Sequence, residues 1–423
     1  MGSGGREHSI GWKLRQSKKV KEIYFSPGNA GTAQIGRNVN IDNSSHKKLI
    51  SWIKKNKIEL VFVGPDQYLA EGVVDSLENE GIKAFGPTKQ ASEIEWSKSF
   101  AKKFMIDNAI PTAKFETFSK LQDAVNYAKK QKFPLVIKAD GLALGKGVVI
   151  AKSLNEAKKA LNEIMKDKIY GKAGTKVVIE KFLVGKEISI HAFSDGKSVK
   201  LFPASQDHKR IGENDTGPNT GGMGAVSPLL WVTPILMSEI RQKIIKPTIK
   251  GLEKIDRKFI GVLYPGIMVT KDGPKVIEFN ARFGDPETQS YMRLLETDLL
   301  DIFLSCLHGK LSSQIVKWRK ENASCVVLAS GGYPGKYRTN FQIDGLDKIK
   351  DKSVVVFHAG TKKDKKQFLT SGGRVLNVTA IGNTLEHSLE KAYNVIDSVN
   401  FKGKQFRRDI GRKFLKDSPN IVH

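Results

Sequence analysis

Short β-branched or aromatic runs, each closed by a glycine or proline turn, constrain residues 1–88 more than any other feature of this chain. The runs are 20–25, leading into PGNAGT (27–32), 60–63, ending in Gly64-Pro65-Asp66, and 84–85, ending in Gly86-Pro87. Helical stretches at 46–55 and 69–80 lie between them. Strands alternating with helices in this way read as a doubly wound parallel sheet, whose ligand sits on the loops at the carboxyl ends of the strands. The chain opens with MGSGGREHSIGWKL, a glycine-rich turn running into a helix, with no strand ahead of it. The amides of such a turn and the helix N-terminus suit a phosphate, although a flexible terminus reads the same way.

At 423 residues the chain is too long for one core, and about three domains are expected. We place them at 1–88, 89–315 and 316–423. The two cysteines, Cys306 and Cys325, offer neither a disulfide framework nor zinc-ligand spacing, which fits a reducing cytoplasm. No apolar run reaches the roughly 18 residues of a membrane span, and the N-terminus lacks the pattern of a signal peptide. Arg6 stands where a myristoylation signal wants Ser or Thr. The net charge of +26 is spread over nearly every segment, without a basic block, an arginine-rich tract or a zinc-finger pattern. Lysine-heavy composition or anionic small substrates explain it as well as nucleic acid does. We expect small-molecule partners, no nucleic acid, no membrane, and a monomer.

In the middle of the chain, KVIEFNARFGDPE (275–287) reads as a strand with Ile277, Phe279, Ala281 and Phe283 on an apolar face. Glu278, Asn280 and Arg282 then share the other face. Carboxylate and amide oxygens beside a guanidinium suit Mg²⁺ bound to phosphates, and a solvated edge strand is the alternative. LVIKADGLALGKGVVI (135–150) reads as strand, glycine turn and strand, with Lys138 and Lys146 approaching a polyphosphate, or else as an ordinary hairpin. It is no Walker loop, because no Ser or Thr follows Lys146. VVIEKFLVGKE (177–187) supplies Glu180 and Glu187, and its 181–183 backbone can face a base. A helix is expected over 92–108, another over 234–252, and a strand over 261–269. QDHKRIGENDTGPNTGGMGA (206–225) shows neither periodicity, and a long irregular loop in a compact domain is functional or disordered. Its Asp207, His208, Arg210 and Asp215 are candidates to orient substrate. Strands at 323–329, 354–360 and 373–380 and a helix at 384–396 follow, in a mixed α+β unit with GGYPG (331–335) as a turn. Arg374, Arg407, Arg408 and Asp409 there read as structural.

Lys138 before its glycine loop, Glu180-Lys181-Phe182-Leu183 and Glu278-Phe279-Asn280 resemble the nucleotide-binding elements of the ATP-grasp superfamily. Together with GGREH, PGNAGT, VGP, FGPT, SQDHKR, DTGPNTGGMGA, EFNARFGDPETQ and GGYPG, in this order, they resemble the phosphoribosylamine–glycine ligase (glycinamide ribonucleotide synthetase) family over essentially the whole chain. The resemblance implies an N-terminal sheet domain, a two-part ATP-grasp with a lid at about 112–187, and a C-terminal α+β domain. It implies ATP-dependent joining of glycine to 5-phosphoribosylamine through a glycyl phosphate, in purine biosynthesis.

By that resemblance Lys98, Lys138, Gly145 and Lys146 bind ATP, Lys138 and Lys146 at its phosphates, and Glu180, Lys181 and Leu183 lie at adenine. Glu187 holds the ribose, and Glu278 and Asn280 bind Mg²⁺ or Mn²⁺. Arg282, Lys146 and Asp207 stand at the chemistry. Gly4, Gly5, Arg6, Glu7, Asn29, Gly31, Thr32, Pro65, Asp66, Asp207, His208, Lys209, Arg210 and Asp215 bind substrate, with the 207–210 loop and the turn at 4–8 holding the phosphoribosylamine. Two departures stand out. Family members carry a strand before the opening loop, so a weakened edge of the first domain is expected here. Ala281 stands where many relatives have cysteine, on the apolar face and without expected effect. A different ATP-grasp activity, such as a carboxylase, leaves 206–225 unexplained. The chain's length leaves no expected room for further fused purine-pathway modules.

Overall fold

The computed structural model describes residues 1–142 and 147–412. Its first unit carries two parallel strand pairs, Tyr24–Phe25 with Arg37–Asn38 and Val61–Phe62 with Ala84–Phe85. The opening residues lie between the pairs rather than at an edge. The Met1 ammonium donates to the Phe62 carbonyl at 2.7 Å, the Gly2 amide donates to Ser26 at 2.7 Å, and Gly28 donates back to Gly2 at 3.2 Å. Burial pushes that ammonium down to about 6. Helices Gly5–Leu14 and His46–Lys55 flank the pairs, and the expected 69–80 helix is two, Asp66–Glu71 and Val73–Glu78. The break is Gly72, whose φ of +84° suits a residue without a Cβ.

The expected 92–108 helix is likewise two, Lys89–Trp96 and Lys98–Asp107. Ser97 leaves helical space between them (φ −113°, ψ 106°), and its hydroxyl caps the second helix by accepting from the Phe100 amide. A four-stranded antiparallel sheet follows, in the order Phe115–Phe118, Val177–Lys181, Leu135–Ala139, Val148–Ala151. It has its own core, built of Ile137, Val177, Ile179 and Leu161 among others. The central sheet runs Val199–Leu201, Ala192–Asp195, Ile260–Thr270, Gly273–Asn280, and Lys186–Ser189 pairs with Ile260–Thr270.

Residues 206–225 are not irregular throughout. Arg210–Gly212 and Thr216–Asn219 form a hairpin, and the flanking strands Gln206–Asp207 and Gly224–Ser227 join a sheet with Asn322–Ala329, Arg374–Gly382 and Val354–His358. The central segment therefore supplies strands to the sheet of the third unit. An aromatic stack binds the first unit to the centre: Phe85 lies 3.9 Å and Phe62 5.8 Å from Phe303, centroid to centroid, and Phe283 packs edge-on to both Phe62 and Phe303. Each such pair adds about 0.5–1.5 kcal/mol beyond area burial.

Three buried histidines tie distant segments together by accepting backbone N–H groups. His8 Nδ1 accepts from His358 at 2.9 Å, His191 Nε2 from Gly284 at 3.0 Å, and His208 Nε2 from Gly411 at 3.0 Å. Among the described residues no helix is long and apolar enough to cross a membrane. Cys306 and Cys325 are both buried free thiols.

Candidate functional site

The strand Gly273–Asn280 forms the floor of the site, and its pleat is not the regular one expected. A β-bulge at Ile277, between the pairs Val276–Ile267 and Glu278–Gly266, inserts one extra residue. Val276 and Phe279 consequently both enter the core, and Ile277 is only half-buried. Glu278 and Asn280 remain together on the open face, the phase a bulge is suited to set beside a site. The strand ends at Asn280, so Arg282 reaches the same region from the following turn. The Ile277 carbonyl faces across to the lid and accepts from Lys138 Nζ at 2.8 Å.

Lys138 is the penultimate residue of the strand Leu135–Ala139, and its ammonium also pairs with Glu180 at 2.9 Å. Lys102, from helix Lys98–Asp107, holds the other Glu180 oxygen at 3.0 Å and donates to Thr112 Oγ1 at 2.7 Å. Glu180 is thus fixed between two buried lysines. Burial pushes Lys102 down to about 8, with Glu180 opposing. Lys98 donates to the Gly141 carbonyl at 3.0 Å, and burial lowers its ammonium as well. Lys181 is exposed and Leu183 half-buried at the end of the neighbouring strand. Gly145 and Lys146 lie outside the described residues.

Lys209 reaches in from the hairpin, paired with Glu187 and 3.9 Å from Glu278. Burial alone would lower Lys209, but Glu187 and Glu278 hold it above its usual range. Burial alone would raise Glu278, but Lys209, Lys138 and Lys98 hold it below the carboxylate range, so it stays an anion. Arg282 Nη2 pairs with Glu95 at 3.0 Å and donates to Asn280 Oδ1 at 3.1 Å, and the Asn280 amide donates to Tyr264 O at 3.3 Å.

The donor set fits a small hard cation. An ionised carboxylate and an amide oxygen share one face, with a lone pair of Asn280 Oδ1 still open. No cluster of three or more His, Cys, Asp or Glu among the described residues offers a cage. Mg²⁺ takes few protein ligands and completes its octahedron with phosphate oxygens and water.

Asp207 lies within electrostatic reach of Lys209 and Glu187. Burial, then Glu287, pushes its carboxyl well up, and its Oδ1 has no protein partner among the described residues. Gly222 approaches it so closely that a Cβ there would lie 2.6 Å from Oδ1 and 2.4 Å from Pro286. His208, expected at the substrate, is turned inward. Its Nδ1 faces the Gly224 carbonyl at 3.1 Å and Nε2 accepts from Gly411, so both ring nitrogens are engaged with backbone. Arg210 donates to the Gly217 carbonyl within its own hairpin at 2.7 Å. Asp215 pairs with Arg407 at 2.9 Å. Arg407, 1% exposed, also grips Asp409 and the Arg210 carbonyl, so it braces the hairpin from the third unit.

The opening turn differs from a plain anion cradle, because the Glu7 carboxylate lies in it. It accepts from the Gly4 amide at 2.7 Å and from Arg6 Nε at 2.6 Å, and it fills the space beside Gly2 and Gly64. Arg6 Nη1 donates to Phe283 O at 3.1 Å. Gly5 packs against Asn377 and Gln289. Asn29 is consumed by the Ser3 and His358 carbonyls and the Gly31 and Thr32 amides. Pro65 and Asp66 open a helix at the mouth of this turn. Sequence reasoning passed over Glu95 and Lys102, which carry no motif and sit in lysine- and glutamate-bearing helices. Arg374, expected to be structural, pairs with Asp285 at 3.2 Å and donates to the Gly221 carbonyl at 2.6 Å, clasping the loop beside Asp207.

The comparisons agree over the whole chain. Models of the phosphoribosylglycinamide synthetase N, ATP-grasp (A) and C domains match residues 1–95, 96–288 and 323–413. The phosphoribosylamine–glycine ligase of Caldanaerobacter subterraneus subsp. tengcongensis is 46% identical over 97% of this chain and 98% of that protein. The trifunctional purine biosynthetic protein adenosine-3 of Gallus gallus is 45% identical over all of this chain, which spans 43% of that protein. The crystal structure of phosphoribosylamine–glycine ligase from Thermotoga maritima superposes with a TM-score of 0.84 at 34% identity, covering 97% of this chain and 98% of that one. A biotin carboxylase from Campylobacter jejuni shares the fold (TM-score 0.74, 14% identity, 98% of this chain and 95% of that one).

Proposed function

The chain belongs to the phosphoribosylglycinamide synthetase family, and from that premise we propose how its own residues divide the work. It is an ATP-dependent carbon–nitrogen ligase that joins glycine to 5-phosphoribosylamine in purine biosynthesis. ATP is a substrate and a divalent metal accompanies it. The observation that carries our assignment is the convergence of Lys98, Lys138, Lys209, Glu278, Asn280 and Arg282 on one face between lid and floor.

A carboxylate does not react with an amine until its oxygen is made a leaving group. A glycine carboxylate oxygen attacks the γ-phosphorus, the bond to the ADP oxygen breaks, and glycyl phosphate forms. The amine nitrogen of phosphoribosylamine then attacks the acyl carbon, phosphate leaves, and one amine proton is lost. Such transfer is mostly positioning and charge neutralisation. Lys98 and Lys138, with Lys146 beyond the described residues, neutralise the polyphosphate. Arg282 meets the transferred phosphoryl group or the glycine carboxylate. Glu278 and Asn280 would hold Mg²⁺ or Mn²⁺, which supplies Lewis-acid charge at the phosphates when bound. Asp207 stands at the reacting amine. Glu180 orients Lys138, so adenine recognition falls to the backbone at 181–183, and Glu187 and Lys209 move apart as ribose enters. Gly4, Arg6, Pro65 and Asp66 border the phosphoribosylamine, whereas Asn29, Thr32, His208 and Asp215 shape the walls from behind. We place the protein in the cytosol, where its buried thiols stay reduced, and read it as a monomer.

The test is phosphate release from ATP with glycine and phosphoribosylamine generated in place from ribose 5-phosphate and ammonia. Release should require both co-substrates and be lost in Glu278→Ala that remains folded. Release without glycine would overturn the assignment.

A further inference from the structure

We propose that Glu95 is a positioning residue that fixes the Arg282 guanidinium and, through it, the Asn280 amide. The proposal rests on the reading of Arg282 and Asn280 given above. Glu95 lies in the last turn of helix Lys89–Trp96, just before the Ser97 cap, with its side chain 7% exposed. Burying a carboxylate is costly unless it is paired. Its two oxygens are spent on consecutive residues of the floor: Oε2 accepts from the Ala281 amide at 2.8 Å, and Oε1 pairs with Arg282 Nη2 at 3.0 Å.

That clamp governs a short chain of contacts. The same Nη2 donates to Asn280 Oδ1, and the Asn280 amide nitrogen donates to the Tyr264 carbonyl, so the amide oxygen is turned towards the guanidinium. Nη1 donates to the Phe283 carbonyl at 3.2 Å. Arg282 Nε is buried without a protein partner among the described residues, which leaves a guanidinium donor for an anionic oxygen. An arginine held only by its backbone carbonyl would sample many rotamers. The Glu95 clamp selects one and aligns both neighbouring donors in the same act. Asp66 acts electrostatically on both Glu95 and Arg282, and Arg6 on Glu95, but neither makes a hydrogen bond to Arg282 among the described residues.

The experiment compares Glu95→Gln, Arg282→Ala and the double variant in steady-state kinetics, each with its melting temperature. Glu95→Gln should lower kcat about 10- to 100-fold, the scale of misplacing a supporting contact, while KM for ATP stays near its wild-type value. The double variant should be no slower than Arg282→Ala alone, because Glu95 acts through Arg282. An impaired Arg282→Ala beside a fully active Glu95→Gln would overturn the proposal, as would losses that simply multiply. A fully active Arg282→Ala would instead overturn the reading of Arg282 itself, and the proposal with it. Should Glu95→Gln fail to fold, Glu95→Asp decides. It keeps the charge but is one methylene too short to hold both contacts, so a lowered kcat at unchanged melting temperature supports the clamp, and an unchanged kcat overturns it.

Discussion

Glu180 shows what a single buried charge does here. It is the sole carboxylate paired with both Lys102 and Lys138 among the described residues, and all three are 3% exposed or less. Removing one partner of a buried ionic group leaves the others uncompensated, at a cost of about 3–5 kcal/mol. Glu180→Gln should therefore lower the denaturant midpoint sharply, and a non-hydrolysable ATP analogue should restore part of it, since phosphate replaces the lost anion. A midpoint unmoved by either change would count against the triad. At this scale the sequence reading was uneven. Lys138, Glu278 and Asn280 stand beside glycines or in a strand pattern that chemistry marks. Lys102 has no mark, because its partner Glu180 is remote in sequence and only the fold brings them together. Ile277 was misplaced because a bulge leaves no trace in alternation.

Between elements, the junction of helix Lys98–Asp107 with the lid is built on Asp140. Its Oδ1 accepts from the Ser99 amide at 3.0 Å and from Ser97 Oγ at 3.2 Å, and Oδ2 accepts from Ser99 Oγ at 2.5 Å. The lid strand thus ends in an anion on a helix N-terminus, which both capping and the helix dipole favour. Two cationic side chains, Lys98 and Lys138, flank this contact in sequence. Asp140→Ala should cost about 1–2 kcal/mol, read as a lower melting temperature, and should raise KM for ATP more than it lowers kcat. A change in kcat alone would separate the junction from nucleotide binding. The sequence showed a continuous helix over 92–108 because the apolar spacing runs on across Ser97, and only the cap reveals the break. The helix His46–Lys55 and the strand Ala84–Phe85 were legible to the residue, since local pattern and burial agree there.

Over the whole molecule, the buried histidines set the acid response. Burial pushes His8 down to about 3, and His208 and His358 to about 4, and it also lowers His191 well below its usual value. Their folded-state values lie below the unfolded one, so the stability they confer is present above about pH 6.5 and is lost as pH falls towards 4. Each contributes a slope of up to about 1.4 kcal/mol per pH unit in that window. Glu95, raised by burial to about 6, and Asp207, raised by burial and then by Glu287, work the other way. Urea midpoints at pH 7, 5.5 and 4.5 should fall steeply, and a flat profile would contradict neutral histidine acceptors. The order of the three units was legible because glycine turns punctuate it. Their interweaving was not, since the strands Gln206–Asp207 and Gly224–Ser227 look in sequence like the margins of a loop.

Those two strands mean that the unit boundaries drawn along the chain are not seams in space. Gly224–Ser227, from the central segment, pairs antiparallel with Asn322–Ala329 of the third unit. A gene cut near residue 315 would strip it of that neighbour and leave a bare, sticky edge on the larger fragment. The third unit is therefore less a passenger than a splint, and recombination could not swap it for another without also replacing the strand that it braces.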